Sequence, residues 1–573
     1  MADLITHIRD SVIGDGMPIE TPFGKRPLIY GDYTASGRSL TFIEDYIREQ
    51  VLPLYANTHT ETSYTGAHTM RLREQARLAI RGAVNAGSDH QIIFCGSGAT
   101  SAIGHLVQSL NLKSPQELLP HRHGSDLQPG NTRPVVFIGP YEHHSNELPW
   151  RESVAEVVSI PLATDGSLDI DELERQLERY ADRELKIGSF CAASNVTGIK
   201  TDISRVTGVL HDAGALAFWD YAAAAPYVPI DVQGHDERTS LDAVFMSPHK
   251  FVGGPGTPGV LIVKEKLLEN SVPAVPAGGT VSFVSPESHT YIDDRQRREE
   301  GGTPAIIESI RAGMVFQLKQ AVGCNRIEEL EERFARRALA RWGRHPHIEI
   351  LGNPDLPRLS IVSFRIRRQA KDLHYGFVVA LLNDLFGIQA RGGCSCAGPY
   401  AHRLLHLDRA KSRALERQIA KGAMVLRPGW TRLNFNYFLS DDAFEYLLRA
   451  VELIADYGWK LMPLYHYDGE TGTWRHKQAA TTPTENLPDF LLPSHLNGSS
   501  MDPISIEAAP FDLGQLLQQA EELLRESPSP STSPSTPTPT ASALELDEEA
   551  ESLRWFWLPQ DSVQPPPSQS KAA

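Results

Sequence analysis

One lysine and one aspartate in the chain are placed where they could hold a cofactor that bears an aldehyde. Lys250 follows the apolar run in "LDAVFMSPHK" and opens a glycine-rich loop, so its amine could form a Schiff base. Asp220 ends the apolar run "LAFWD". A buried carboxylate needs a cationic partner, and a protonated pyridine nitrogen would serve. The two residues together predict chemistry with pyridoxal 5′-phosphate.

The phosphate and the ring of such a cofactor also have candidate partners. In "FCGSGATSAIGHLV", a Gly-Ser-Gly turn opens a helix whose N–H groups could bind phosphate, and Thr100 adds a hydroxyl. His143 and His144 follow the apolar run "VVFIG", where an imidazole could stack on the ring and exchange protons near neutral pH. Asn195 follows another apolar run, where its amide could reach the phenolic oxygen of the cofactor or the substrate.

The stretch "RGGCSCAGPY" places Cys394 and Cys396 shortly after Arg391. Two cysteines at this spacing are too few for a structural zinc site, and we expect no metal. A disulfide between them would be strained. Two interpretations remain open: a structural loop, or a thiolate nucleophile beside an arginine that binds a substrate carboxylate.

Apolar runs alternate with helical patterns from about residue 28 to 265, which predicts a mostly parallel sheet with ligands beyond the carboxyl ends of its strands. A surface insertion is expected at 113–134. The apolar "LRWFWLP" near the C-terminus is expected to dock on the chain itself, with a partner-binding peptide as the alternative. We predict five regions. They are an N-terminal segment at 1–30, a large cofactor-binding domain at 31–315, a small α+β domain at 316–460, an extension with a possible hairpin and helix at 461–526, and a disordered Pro/Ser/Thr-rich and acidic tail at 527–573.

The bulk composition restricts the class of protein. A chain of 573 residues exceeds one compact core. The net charge of −16 argues against general binding of nucleic acid or anionic membranes. Five cysteines do not suggest a secreted disulfide scaffold, the first residues lack a signal-peptide pattern, and no apolar run is long enough to span a bilayer. A cytoplasmic enzyme is expected.

Several dispersed motifs together resemble the class V aminotransferase superfamily. They are "EHHSNELPW", "SNVTGI", "SPHKFVGGPGTPGVLIV", "EEGGTP", "RGGCSCAGP" and "RLNFNYF", in the order in which that family has them. The resemblance runs from about residue 28 to 445 and is nearest to the cysteine desulfurase and selenocysteine lyase branch. It implies an α/β fold of fold type I, with a mostly parallel seven-stranded sheet in the large domain and a smaller α+β C-terminal domain.

The resemblance also implies roles for individual residues. Lys250 would be the Schiff-base lysine, Asp220 would hold the pyridinium nitrogen, and His143 would stack on the ring. Thr303 would reach the phosphate of a partner subunit, so the resemblance implies a homodimer with shared active sites. Asn195 would lie near the cofactor oxygen. The residues that would bind phosphate are Gly98, Ala99, Thr100, Ser247 and His249.

In the register of the short-loop desulfurases, Arg391 would bind the substrate carboxylate and Cys396 would be the nucleophile. Cys394 stands where relatives often have histidine, so its role is unassigned; it could be a resolving thiol or a small filler. Ala223 replaces a glutamine that relatives use to bond the phenolic oxygen. The predicted function is cleavage of the C–S or C–Se bond of cysteine or selenocysteine, with alanine as product and a persulfide on Cys396 for a possible sulfur-acceptor protein.

Two alternatives stay open. The first is another class V reaction on a small amino acid: aminotransfer, C–S β-elimination or epimerisation. These reactions need Lys250 and Arg391 but not Cys396. The second is a non-catalytic interaction protein built on a retired enzyme fold, which the presence of Lys250 and Asp220 disfavours.

Overall fold

The computed structural model describes residues 3–58, 60–113, 133–478, 511–528, 544, 546–559 and 561. The predicted insertion at 113–134 and the Ser/Pro/Thr run at 527–540 lie almost wholly outside these residues. Within them, no helix is long and apolar enough to cross a membrane.

The N-terminal part of the chain contributes to both of the main apolar cores. Ile8 of the first helix packs in the core of the large sheet, whereas Ile29 packs in the core of the small domain. The elements are α1 (Leu4–Asp10), β1 (Pro18–Thr21), β2 (Gly24–Pro27), β3 (Ile29–Tyr30), α2 (Thr41–Tyr46), a π-turn (Ile47–Val51), a 3₁₀ turn (Leu52–Leu54) and α3 (Tyr64–Ala83).

A seven-stranded sheet with covering helices forms the large domain, as predicted. Its strand order is β4–β10–β9–β8–β7–β5–β6, and only β10 runs antiparallel to its neighbours. Strands such as β7 and β9 are buried along their whole length, as is typical of sheets covered on both faces. The elements are β4 (His90–Cys95), α4 (Gly98–Ser109), β5 (Val135–Ile138), α5 (Leu148–Arg151), β6 (Glu156–Ser159), α6 (Ile170–Arg179), β7 (Lys186–Cys191), α7 (Ile203–Asp212), β8 (Leu216–Asp220), β9 (Ala243–Met246) and β10 (Gly259–Lys264).

A hairpin, one short helix and two long helices lead from the large sheet to the small domain. The hairpin is β11 (Val281–Val284) with β12 (His289–Tyr291), and the helices that follow are α8 (Arg295–Arg298), α9 (Ile306–Val322) and α10 (Cys324–Trp342). The predicted boundary at 315/316 falls inside α9, whose Phe316 packs in the core of the large domain.

The small domain is an antiparallel sheet with helices. The sheet has the order β13–β14–β18–β17, and β15 pairs with β14. A separate parallel pair, β16 with β3, ties this domain to the N-terminal segment. The elements are β13 (Ile348–Ile350), β14 (Ile361–Arg368), β15 (Lys371–Leu373), α11 (Tyr375–Phe386), β16 (Ile388–Gln389), β17 (Arg391–Gly393), α12 (Gly398–Leu404), α13 (Arg409–Ala420), β18 (Trp430–Asn434) and α14 (Asp441–Tyr457).

The C-terminal extension packs on the small domain. The hairpin expected there consists of β19 (Tyr465–Asp468) and β20 (Thr473–His476), and the helix is α15 (Leu513–Glu526). Disorder was predicted for all of 527–573, but residues 546–559 form α16 (Glu548–Leu553) and an ordered strand-like run. The assignment of disorder is wrong for this segment, whereas the expected docking of "LRWFWLP" on the chain itself agrees with the structure, because Phe556 and Leu558 bury apolar side chains in the small-domain core.

Candidate active site

A cavity of about 270 Å³ lies beyond the carboxyl ends of β7, β8 and β9, where ligands bind in sheets of this kind. Its wall contains residues from the large domain, from the N-terminal segment, from β17 and β18, and from the loop after β17. The residues predicted for the site that line it are Gly98, Ala99, Thr100, His143, Asn195, Asp220, Ser247, His249, Lys250, Arg391 and Cys396.

Asp220 and Lys250 both border this cavity. Asp220 ends β8, is 4% exposed, and accepts a hydrogen bond from the Ala222 N–H at 2.8 Å. Burial raises its pKa, although the Ala222 N–H and Lys250 oppose this effect. Burial also lowers the pKa of Lys250 to about 8. An amine with this pKa is partly neutral near physiological pH, which favours attack on a carbonyl.

The start of α4 forms one end of the cavity. The Ala99 N–H donates to Ser247 Oγ at 2.9 Å, and the Thr100 and Ser145 hydroxyls lie 2.7 Å apart. Gly98 has a φ of +58°, and a Cβ there would lie 2.8 Å from His249 Cε1 and from Ser247 Oγ. Only glycine leaves this end open, and a helix N-terminus with nearby hydroxyls suits a phosphate.

His143 lies in a loop held by a buried carboxylate. Its Nδ1 accepts the Ser145 N–H at 3.1 Å. Glu142 anchors the loop by accepting from Asn146 Nδ2 at 2.7 Å and from the Cys191 N–H at 3.0 Å. Burial, with help from Lys250, lowers the pKa of His143 to about 4. His143 is therefore neutral at neutral pH, which differs from the proton exchange predicted for it there.

The loop that carries Cys396 is anchored to the large domain. Asn195 Nδ2 donates to the Ser395 carbonyl at 2.8 Å, the His144 N–H donates to the Cys396 carbonyl at 2.8 Å, and the Gly398 N–H donates to His144 Nε2 at 2.9 Å. Both Ser395 and Cys396 have positive φ, at +55° and +56°. This backbone is strained for residues other than glycine, so surrounding contacts must hold it.

The two cysteines of the loop have different environments. Cys396 is exposed and lines the cavity, whereas Cys394 is half-buried against an apolar cluster that contains Trp430. Both are free thiols. Asn195, which was expected near the cofactor oxygen, lines the cavity but donates an amide N–H to the cysteine loop.

Two residues at the site were missed by sequence reasoning. Arg432 lies directly opposite Arg391 on the paired strands β17 and β18, and both line the cavity. Asp32 accepts from Arg391 Nε at 2.8 Å and from Arg432 Nη2 at 2.9 Å. Arg432 also donates to the Asn195 carbonyl at 2.9 Å. "RLNFNYF" begins with this arginine, but the cross-strand pairing that gives it meaning is visible only in the fold.

Thr303 lies outside this cavity. It lines an adjacent cavity of about 950 Å³, which shares Gly98 and His249 with the first. Its hydroxyl lies 3.3 Å from Asn57 Nδ2, which donates to it. Ala223 lines the first cavity and offers no polar side-chain atom there. In the part of the chain that the structure describes, no group of three or more His, Cys, Asp or Glu residues could hold a metal.

These residues fit pyridoxal 5′-phosphate. The glycine at position 98 keeps open a cradle that a Cβ would fill, beside the N-terminus of α4. At the floor of the same cavity lies Asp220, a buried carboxylate of the kind that pairs with a pyridinium nitrogen, and Lys250 supplies the amine.

Comparison with known proteins places the chain in a family. Residues 29–410 match the aminotransferase class-V family, and the chain belongs to it. Its enzymes depend on pyridoxal 5′-phosphate, and this chain is such an enzyme.

Two relatives of the chain are named as cysteine desulfurases, one of them as a probable one. A cysteine desulfurase of Escherichia coli O127:H6 is 28% identical over 399 residues, which are 69% of this chain and 90% of that protein. A probable cysteine desulfurase of Halalkalibacterium halodurans is 29% identical over 381 residues, 65% of this chain and 85% of that protein.

Solved structures agree on the fold. The apo cysteine desulfurase of Thermococcus onnurineus NA1 has a TM-score of 0.60 at 22% identity and covers 75% of this chain and 95% of its own. The cysteine desulfurase CsdA of Escherichia coli, with an S-sulfonic acid, has a TM-score of 0.58 at 23% identity and covers 74% of this chain and 93% of its own.

Proposed function

We propose that the chain is a cysteine desulfurase-like enzyme that transfers the sulfur of cysteine, or the selenium of selenocysteine, to Cys396 and releases alanine. One observation carries the proposal: an exposed thiol, a lysine amine and two arginines border one cavity. Membership of the class V family and relatives named cysteine desulfurases support it.

The cofactor would be held at four points. Lys250 Nζ would bind its aldehyde carbon, Asp220 would pair with its pyridine nitrogen, and His143 would lie against its ring. Gly98, Ala99, Thr100, Ser247 and His249 would hold its phosphate, at the start of α4. When bound, the cofactor withdraws electrons from the α-carbon of the substrate and makes the α-proton acidic.

The side chains of the cavity would divide the remaining work. Arg391 and Arg432 would bind the substrate carboxylate through charge-assisted hydrogen bonds. The Lys250 amine, once free, would take up and return the α-proton. The Cys396 thiolate would attack the substrate sulfur, so that an S–S bond forms while the C–S bond breaks. The electron pair of the broken bond stays with carbon, and protonation there gives the methyl group of alanine.

Thr303 and the free thiols support three further proposals, on the oligomeric state, the compartment and a sulfur acceptor. The cavity that Thr303 lines also includes Gly98 and His249 from the phosphate end, so a second subunit seated there could share the site in a homodimer. The five cysteines are free, which suits a reducing compartment such as the cytoplasm. Because the Cys396 thiol is exposed, a sulfur-acceptor protein could reach it.

The test is to incubate cofactor-loaded protein with cysteine and with selenocysteine while alanine, sulfide, pyruvate and keto acids are measured together. We expect Cys396→Ala to lower the rate of alanine and persulfide formation at least ~100-fold, with the cofactor still bound. Cys394→Ala, the same change two residues away, is the control and should stay within about threefold of the unsubstituted enzyme.

Other outcomes would contradict the proposal. Full alanine formation by the Cys396→Ala variant would remove Cys396 from the reaction. Pyruvate with sulfide would indicate β-elimination, and a keto acid that depends on an amino acceptor would indicate aminotransfer.

A further inference from the structure

The C-terminal segment 546–559, called the brace here, docks on an edge of the small domain. The Asp372 N–H donates to the Trp555 carbonyl at 3.1 Å, and the Trp557 N–H donates to the Asp372 carbonyl at 2.8 Å, so the brace runs parallel to β15. Phe556 and Leu558 are buried. The brace lies beyond residues 29–410, which match the family model.

Trp555 is the residue of the brace that stacks on the start of α11. Its ring stacks on His374 with centroids 5.5 Å apart and on Tyr375 with centroids 6.1 Å apart. Its Nε1 donates to the Leu426 carbonyl at 3.1 Å. These contacts fix the indole against the first residue of α11, Tyr375.

Tyr375 in turn packs directly on β17. A Cβ at Gly392 would lie 2.7 Å from Tyr375 Cδ2, and a Cβ at Gly429 would lie 2.6 Å from Tyr375 Cε1. Successive residues of a strand face opposite sides, so Gly392 faces the tyrosine ring while Arg391 faces the cavity. The stacked rings of Trp555 and Tyr375 thus lie behind the strand that carries Arg391.

The strand β17 lies at the edge of its sheet and leads into strained backbone. Among the residues that the structure describes, it is the last strand of its sheet and pairs with β18 alone. It leads within three residues to Ser395 and Cys396, both with positive φ. Strained backbone persists only where the surrounding structure holds it.

We propose that the brace positions the strand Arg391–Gly393 and the Cys396 loop, and that Trp555 does so through Tyr375. Trp555 is a positioning residue, because it does not line the cavity. The proposal concerns how the wall of the site is held, so it does not depend on which reaction the site performs.

The test is amide hydrogen exchange on the full-length, cofactor-loaded protein without substrate. We expect Trp555→Ala to speed exchange in residues 391–397 about tenfold, because the ring contact behind them is lost. Exchange in β8 should not change. Trp555→Phe, which keeps an aromatic ring, should restore most of the protection.

Trp557→Ala is the matched control. Trp557 lies on the same brace, but its Nε1 donates to the Arg368 carbonyl at 3.2 Å, and it stacks near the Arg368 guanidinium rather than on Tyr375. We expect exchange in residues 391–397 of this variant to stay within about twofold of the unsubstituted protein.

A double-mutant cycle with Tyr375→Leu tests the route of the coupling. If Trp555 acts through Tyr375, the double variant should exchange no faster in 391–397 than Tyr375→Leu alone. Additive effects would overturn the route. The whole proposal would be overturned if Trp555→Ala speeds exchange only in the brace itself, or if Trp555→Ala and Trp557→Ala affect 391–397 equally.

Discussion

The strongest quantitative prediction concerns Asp32, whose carboxylate lies between the two arginines of the site. It accepts from Arg391 Nε at 2.8 Å and from Arg432 Nη2 at 2.9 Å. Asp32→Asn keeps the shape of the side chain but removes its charge. The three groups then change from a net charge of about +1 to about +2, which should favour any carboxylate that enters.

The magnitude of each effect follows from burial. In Asp32→Asn, the Arg432 side chain loses its ionic partner while only 3% exposed, which lowers stability. The Arg391 side chain is 48% exposed, so the loss of the same partner changes the free energy of unfolding little. Because Arg432 keeps its bond to the Asn195 carbonyl, we expect a loss of about 2–3 kcal/mol in the free energy of unfolding. The attraction between one uncompensated charge and a bound carboxylate about 5 Å away is ~3 kcal/mol at an effective dielectric constant of about 20. Allowing for solvent at Arg391, we expect carboxylates to bind at least ~10-fold tighter.

Urea unfolding and calorimetric titration with propionate measure these two quantities. Propionate carries a carboxylate and no amine, so it reports on the arginines without reaction at the cofactor. Asp45→Asn is the control, because Asp45 pairs with the exposed Arg48 at 3.0 Å and should change neither quantity. Weaker or unchanged propionate binding in Asp32→Asn would refute the assignment of this end of the cavity to a substrate carboxylate.

Two further predictions concern the cofactor end. Gly98→Ala should weaken cofactor binding at least ~10-fold in equilibrium dialysis, because the new Cβ meets His249 and Ser247 at 2.8 Å and φ is +58°; undiminished cofactor affinity would count against this cradle. In the cofactor-free protein, the folded-state pKa of Lys250, about 8, lies below its ordinary value of 10.5, so the unfolded chain binds more protons between these pH values. The charged lysine therefore destabilises the folded state fully below pH 8, and this cost vanishes as the pH rises to 10.5. In urea unfolding at pH 7, Lys250→Met should be up to about 3 kcal/mol more stable than the unsubstituted protein. A difference in stability that did not shrink as the pH rises would contradict this origin.

The parts of the site that follow strand ends could be predicted from the sequence. Asp220 and Lys250 each come after an apolar run in an alternating strand–helix pattern, and such runs end at one edge of a parallel sheet. Local glycine and hydroxyl patterns likewise indicated the start of α4. Roles for the individual residues stay predictions, as do the domain boundaries.

The rest depends on contacts between distant segments. Asp32 and Arg432 are 400 positions apart and meet only because β18 pairs with β17 beside the N-terminal segment. The pKa of His143 depends on burial and on Lys250, neither of which its own sequence neighbours reveal. The docking of "LRWFWLP" could be expected from its apolar residues, but the preceding helix α16 was missed because the acidic composition of that segment suggested a solvated tail.

The anchored cysteine loop has a consequence for delivery. Three hydrogen bonds, from Asn195, His144 and Gly398, tether the backbone on either side of the Cys396 sulfur. A long flexible loop could move its sulfur atom away from the cavity, whereas these hydrogen bonds hold the Cys396 loop against the large domain. Under the proposed function, transport would fall to the recipient: an acceptor would have to insert its own thiol at the cavity mouth and collect the sulfur where it was loaded.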